Sequence, residues 1–201
     1  LRVLNAAGSR ESLPHIFTLL DHDNGTIRRL AVETLGQILD TSSIDYLLAK
    51  LDDPDVACQQ AAVNSLTALV AKFPAVKNDV LAKIRKLLQA PSIPVKLNSL
   101  QVFVNIQGEG YHEELLLASK DSDPVLRQKA VSLMDRFSED RFGDQVVLSL
   151  ADEASAVRLA AINSIVHLRP EKGLAPLISS LEDNDIWIRT AAAQALGLTE
   201  E

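Results

Sequence analysis

Apolar and polar positions in this chain follow a helical period, and the whole pattern recurs as a block. From Asp152 to Ile165 (D-E-A-S-A-V-R-L-A-A-I-N-S-I) an acidic turn residue leads into a segment with Val157, Ala161 and Ile165 on one face and Arg158 beside them. Asp183–Leu196 and Asp121–Met134 carry the same block. The apolar position just before the Arg serves as a marker. It is Ile27, Cys58, Val95, Leu126, Val157 and Ile188, at successive spacings of 31, 37, 31, 31 and 31. A fixed period of this size is the signature of stacked repeats. Each marker helix needs a partner. Ile44, Leu47, Leu48 and Leu51 fall at i, i+3, i+4 and i+7, which predicts an amphipathic helix there. Leu13, Ile16, Phe17 and Leu20 match them one period earlier. Leu81, Ile84 and Leu88 match in the third repeat, Val146, Val147 and Leu150 in the fifth, and Leu174, Leu177, Ile178 and Leu181 in the sixth. The fourth is weaker, with His112 and Ser119 at two apolar places. Pro14 suits a first helical turn, and Ser43 is predicted as an N-cap.

A 31-residue helix pair cannot bury its apolar face alone, so each pair must stack on the next. The expectation is an all-α protein, a right-handed α-solenoid of stacked antiparallel helix pairs. Residues 1–201 read as a single repeat domain. It comprises a partial helix over 1–8 and repeats at about 12–40, 43–73, 77–108, 111–139, 142–169 and 172–199. The six extra residues between the second and third markers fall around Lys72–Asn78, where Phe73-Pro74 interrupts the pattern. An extended helix or a bulged loop is expected there. The chain opens on Leu1, in what reads as the tail of a helix. It is therefore read as a fragment of a longer array, with end faces prone to end-to-end self-association.

At these residues the chain resembles the HEAT-like repeats of the phycobilisome-lyase type, whose pattern is roughly D-x-x-x-x-V-R-x-x-A-x-x-A-L. The Arg is present as Arg28, Arg127, Arg158 and Arg189, and is replaced by Lys96 in the third repeat and Gln59 in the second. The small residue three places on is Ala31, Ala62, Ala130, Ala161 and Ala192, with Ser99 in the third. The resemblance implies a HEAT-like, armadillo-like stack of helix pairs. It does not carry lyase chemistry with it, since one repeat fold serves many functions.

Composition narrows the function classes. Lys plus Arg is 20 against 27 Asp plus Glu, a net charge of −7. That balance argues against a nucleic-acid-binding surface. No apolar run is long enough to cross a bilayer. The single Cys rules out an internal disulfide framework and fits a reducing, cytoplasmic setting. His112-Glu113 resembles the His-Glu pairs that bind di-iron in hydroxylase members of the superfamily, but those sites need several pairs and this chain has one. His15, His22 and His167 lack metal-ligand spacing. Cys58 stands at a core-facing marker and reads as a packing thiol. No phosphate loop or nucleophile elbow is present. Neither cofactor nor metal is expected, and the protein is read as a non-enzyme.

Two sets of recurring residues remain. Arg28, Lys96, Arg127, Arg158 and Arg189, with the turn acids Asp53, Asp121, Asp152 and Asp183, read as a structural ladder. In it each Arg bonds turn carboxylates or carbonyls of its own and neighbouring repeats. The second set lies six and ten residues past the markers, on one face of each second helix. It includes Gln37, Asn64, Gln101, Asn105, Asn163 and Gln194. These amides suit the main chain of an extended peptide, as in armadillo proteins, or form a merely solvated face. Trp187 on a nearby stripe is either a binding anchor or a cover for the end of the stack. The leading reading is a scaffold that binds another protein or peptide segment on its concave face. The alternatives are a bilin lyase or isomerase subunit, or a regulatory repeat domain of a larger protein.

Overall fold

The computed structural model describes residues 10–106, 111–137, 142–168 and 172–199. The partial helix expected over 1–8 and the links at 107–110 and 169–171 lie outside them. The described residues form twelve α-helices and no strand: α1 Leu13–Leu19, α2 Gly25–Ile38, α3 Ile44–Ala49, α4 Val56–Lys72, α5 Lys77–Leu87, α6 Ile93–Asn105, α7 Tyr111–Ala118, α8 Pro124–Met134, α9 Gly143–Ser149, α10 Ser155–Leu168, α11 Leu174–Ser179 and α12 Ile186–Thr199. They alternate as first and second helices of six pairs. The chain packs into two compact units, Leu1–Glu109 and Gly110–Glu201.

In Leu1–Glu109 the second helices α2, α4 and α6 pack side by side, α2 on α4 and α4 on α6. The markers Cys58 and Val95 are buried, while Ile27 is half-buried. The stripe Ile44, Leu47, Leu48 and Leu51 is buried throughout. Small residues set the helix spacing. A β-carbon on Gly36 of α2 would stand 2.2 Å from Ser65 Oγ and 3.2 Å from Ser65 Cα. Ser65 Oγ in turn donates to the Val32 carbonyl at 3.2 Å. The inserted residues lengthen α4, which runs 17 residues against 14 for α2. Phe73 ends it, and Pro74–Val76 form a 3-10 turn into α5. Leu39 closes α2 in the left-handed region at φ 53°, where its N–H reaches the Leu35 carbonyl.

In Gly110–Glu201, α10 packs on both α8 and α12. Val157, Ala161 and Ile165 are buried, as are Leu126 and Ile188. Ser164 Oγ donates to the Val131 carbonyl at 3.1 Å, repeating the Ser65 contact. Tyr111, His112, Phe137 and Phe142 stack at the ends of α7, α8 and α9.

Two local expectations are corrected. Ser43 is not an N-cap: it is helical at φ −80°, ψ −10°, makes no capping bond, and lies buried. Asp40 caps that turn instead, its carboxylate accepting the Ser42 N–H at 2.9 Å. In the sixth repeat only Leu177 of the predicted apolar stripe is buried, whereas Leu174, Ile178 and Leu181 are exposed. In the fifth repeat Leu150, which corresponds to Leu181, is buried.

Candidate binding face and the charged ladder

The turns before α4, α8 and α12 are built twice over from acidic side chains, and those before α2 and α10 carry one half of the arrangement each. The residue three places before the marker caps the helix. Asn24, Asp55, Asp123 and Asp185 accept the N–H groups of Thr26, Ala57, Val125 and Trp187 at 2.8–2.9 Å. Each satisfies a donor that the helix itself leaves open. Two places earlier, Asp53, Asp121, Asp152 and Asp183 each accept the N–H two residues on, also at 2.8–2.9 Å.

The ladder Asp then receives an arginine from the preceding repeat. Arg28 Nε and Nη2 meet the two oxygens of Asp53 at 2.8 Å each. Arg127 grips Asp152 at 2.9 Å twice, and Arg158 grips Asp183 at 2.7 and 2.9 Å. In every case Nη1 turns back to two carbonyls of the arginine's own turn. For Arg158 these are Asp152 at 2.8 Å and Glu153 at 3.1 Å. Planar bidentate geometry of this kind is the strong form of the charge-assisted bond. Its electrostatics follow. The Arg127 fork holds Asp152 below the usual carboxylate range, and the Arg158 fork does the same for Asp183, against the opposing effect of burial. At Asp53 burial is the larger single influence and pushes upward, but the Arg28 fork and the Asp55 N–H together outweigh it.

The rest of the ladder differs. Gln59 replaces the Arg of the second repeat, and its amide donates to the Asp53 carbonyl at 2.7 Å. Asn98 of α6 completes that step, donating to Gln59 Oε1 at 3.0 Å and to the Leu51 carbonyl at 2.9 Å. Lys96 is half-buried on α6. The Asp121 carbonyl accepts Arg127 Nη1 at 3.0 Å. Arg189 makes the backward half of the pattern, to the carbonyls of Asp183 and Asn184 at 2.8 and 3.2 Å.

The amide positions lie on the solvent side of the second helices. Gln37, Asn64, Asn163 and Gln194 are exposed, Gln101 and Asn105 are half-buried, and Trp187 is 74% exposed. In Leu1–Glu109, Gln37 and Asn64 border an open groove of about 450 Å³ between α2 and α4. Gly36, Ala57, Ala61, Ser65 and Ala68 line it with small side chains; Gln37, Gln60 and Asn64, with Arg29 and Glu33, supply its polar groups. Arg29 and Glu33 pair with each other, leaving the groove without net charge. Gln60 Nε2 donates to Asn64 Oδ1 at 3.0 Å. On α6, Gln101 donates to Asn105 at 2.8 Å, and Asn105 to Thr67 at 3.4 Å, so these two amides are partly engaged with each other and with α4. In Gly110–Glu201, the Asn163 carbonyl holds His167 Nδ1 at 3.0 Å. Gln60, Gly36 and the Asn98–Gln59 pair were not singled out in the sequence. The capping acids could have been, since the second acid of D-P-D, D-S-D and D-N-D stands directly before the periodic run.

Among the described residues no cluster of three or more His, Cys, Asp or Glu is placed to hold a metal. Nor is any helix there long and apolar enough to cross a membrane. Burial, and secondarily the charge of Asp53, pushes the Cys58 thiol up to about 12.

Recurrent helix pairs joined through capped acidic turns define a helical-repeat protein. The family model for HEAT repeats matches residues 1–67 and 143–201, and the chain belongs to that family. It is 25% identical over 167 residues to the uncharacterized phycocyanin operon protein Z of Pseudanabaena tenuis (strain PCC 7409), covering 81% of this chain and 83% of that one. The fold is shared with YibA of Escherichia coli (TM-score 0.64, 19% identity, 100% of this chain and 74% of that one). It is also shared with a designed armadillo repeat protein solved in complex with a (KR)4 peptide (TM-score 0.56, 16% identity, 92% and 98%).

Proposed function

We propose that this protein is a non-enzymatic binding module that holds an extended segment of another protein against its second helices. The observation that carries this reading is the α2–α4 groove. Small residues on both helices let a main chain approach closely, while Gln37, Gln60 and Asn64 at its edge donate and accept at once. Rigid helices carry these amides, so little ordering entropy is lost on binding. The designed armadillo protein with its bound peptide lends support by analogy of fold. Under this reading the ladder is structural, nucleic acid is not a partner, and the lone buried thiol suits the cytoplasm.

The test is selection of binders from a random peptide library on the whole chain, followed by affinity measurement. Changing Gln37 and Asn64 together to Ala removes two hydrogen bonds, about 1–3 kcal/mol. Affinity should then fall about 5- to 150-fold, with helicity unchanged by circular dichroism. Unchanged affinity, or crosslinks that map only to the first helices, would remove this groove as the site. A second reading, a role close to phycocyanin, is favoured by the name of the Pseudanabaena relative. Adding bilin and seeing a shifted visible absorption band would support it.

A further inference from the structure

The positions that line the α2–α4 groove recur on α10 and α12 with different chemistry. Where α2 offers Arg29, Glu33 and Gln37, α10 offers Leu159, Asn163 and His167. Where α4 offers Ala57, Ala61 and Asn64, α12 offers Trp187, Ala191 and Gln194. α10 and α12 pack directly on each other, as α2 and α4 do. Leu159 is 36% exposed and Trp187 74%, while Asn163 and Gln194 are both exposed. None of these six positions carries Asp, Glu, Lys or Arg, in a chain that is 23% charged. The nearby ladder arginine, Arg158, already grips Asp183.

We infer that the α10–α12 face selects an uncharged extended peptide segment, seating a proline or aliphatic side chain against Trp187 and Leu159. This rests on the binding-module reading and adds the chemistry of the partner. Charge matching is the argument. A carboxylate or ammonium brought onto this face would shed water and find no counter-charge, a costly exchange. An apolar side chain gains the indole as an anchor, a residue type enriched at binding hot spots. Asn163 and Gln194 meet its flanking main chain with a donor and an acceptor each. The expected specificity therefore differs from that of a protein that takes alternating lysine and arginine.

Trp187 is the sole tryptophan of the chain, so intrinsic fluorescence reports from this face alone. The full chain is titrated with a capped octapeptide of alternating proline and leucine, and with versions carrying glutamate or lysine in place of leucine. The neutral peptide should shift Trp187 emission to the blue in a saturable way, and the charged ones should not. Trp187→Ala should weaken binding of the labelled neutral peptide, read by anisotropy, at least about tenfold. Asn163→Ala with Gln194→Ala should weaken it with Trp187 in place. Equal binding of a charged version, no binding of the neutral one, or binding without an emission shift overturns the inference. An emission shift that follows protein concentration without peptide would assign the face to a second copy and overturn it too. Library binders sensitive to Gln37 and Asn64 but not to Trp187 would sink this inference and leave the binding-module reading standing. Failure of all library peptides to bind would sink that reading itself.

Discussion

In Gly110–Glu201 two successive stacking steps each carry a guanidinium fork, Arg127 onto Asp152 and Arg158 onto Asp183. In Leu1–Glu109 the first step does so, through Arg28 and Asp53, but the second is held by the neutral amides of Gln59 and Asn98. Apart from the half-buried Ile27, both units bury their markers, and both make the same seryl contact between second helices. The apolar core is thus the common requirement. The polar joint is interchangeable, a guanidinium fork at three steps and neutral amides at another.

The largest effects should ignore the difference. Ala62 and Ala161 are both fully buried at the same repeat position. Ala62→Asp and Ala161→Asp should each cost about 3–5 kcal/mol, because a carboxylate enters a close helix contact unpaired. Denaturant unfolding measures both. A cost confined to one of them would show that the cores are not equivalent.

Ladder substitutions should separate the units. Arg158→Leu strands Asp183 and two turn carbonyls, at about 1–3 kcal/mol. Gln59→Leu removes only neutral bonds, at about 0.5–1.5 kcal/mol. Hydrogen exchange should rise within Gly110–Glu201 for the first and within Leu1–Glu109 for the second. Equal costs, or exchange that rises uniformly, would break the contrast between fork and amide joint.

Glycine at one repeat position should give opposite signs. Gly36 is closed in by Ser65, whereas a β-carbon on Gly197 would meet nothing within 4 Å. Gly36→Ala should destabilise by about 1–3 kcal/mol through overpacking. Gly197→Ala should stabilise by about 0.5 kcal/mol by stiffening the unfolded chain. Thermal melts of the two variants decide it.

Acid should act through the forks. The folded-state values of Asp53, Asp152 and Asp183 all lie below the ordinary one. Their contribution is therefore complete above the unfolded value, about 3.9. It is lost as pH falls from there through the lower folded values. Asp152→Asn with Asp183→Asn should be less stable at neutral pH and lose less on acidification. A variant that tracks the native chain at every pH would detach the ladder from acid stability.

The helix pairs were legible because core positions must recur whatever the surface does, and Cys58, Val157 and Ala161 declare the period. The pairing of the ladder was less legible. A period places each Arg near two acids, one in its own turn and one in the next, and cannot choose between them. Geometry divides the guanidinium, Nη1 to its own turn's carbonyls and the other edge to the next turn's carboxylate. Ser43 misled because a serine before an apolar run is a cap only if the backbone there leaves the helix, and Asp40 starts the turn earlier. The α2–α4 groove was half visible. Gln37 and Asn64 follow from the period, but Gly36 against Ser65 is a contact between repeats that no single helix reveals.

Cys58 carries a practical consequence. It is the only thiol in the chain, it is fully buried, and its proton is held to about 12. At neutral pH almost none of it is thiolate, the form that reacts. The native protein is thus a blank background for sulfhydryl chemistry. A cysteine introduced at Asn64 or Asn163 would be the sole reactive handle, ready for a dye, spin label or crosslinker, with no need to remove the natural one first.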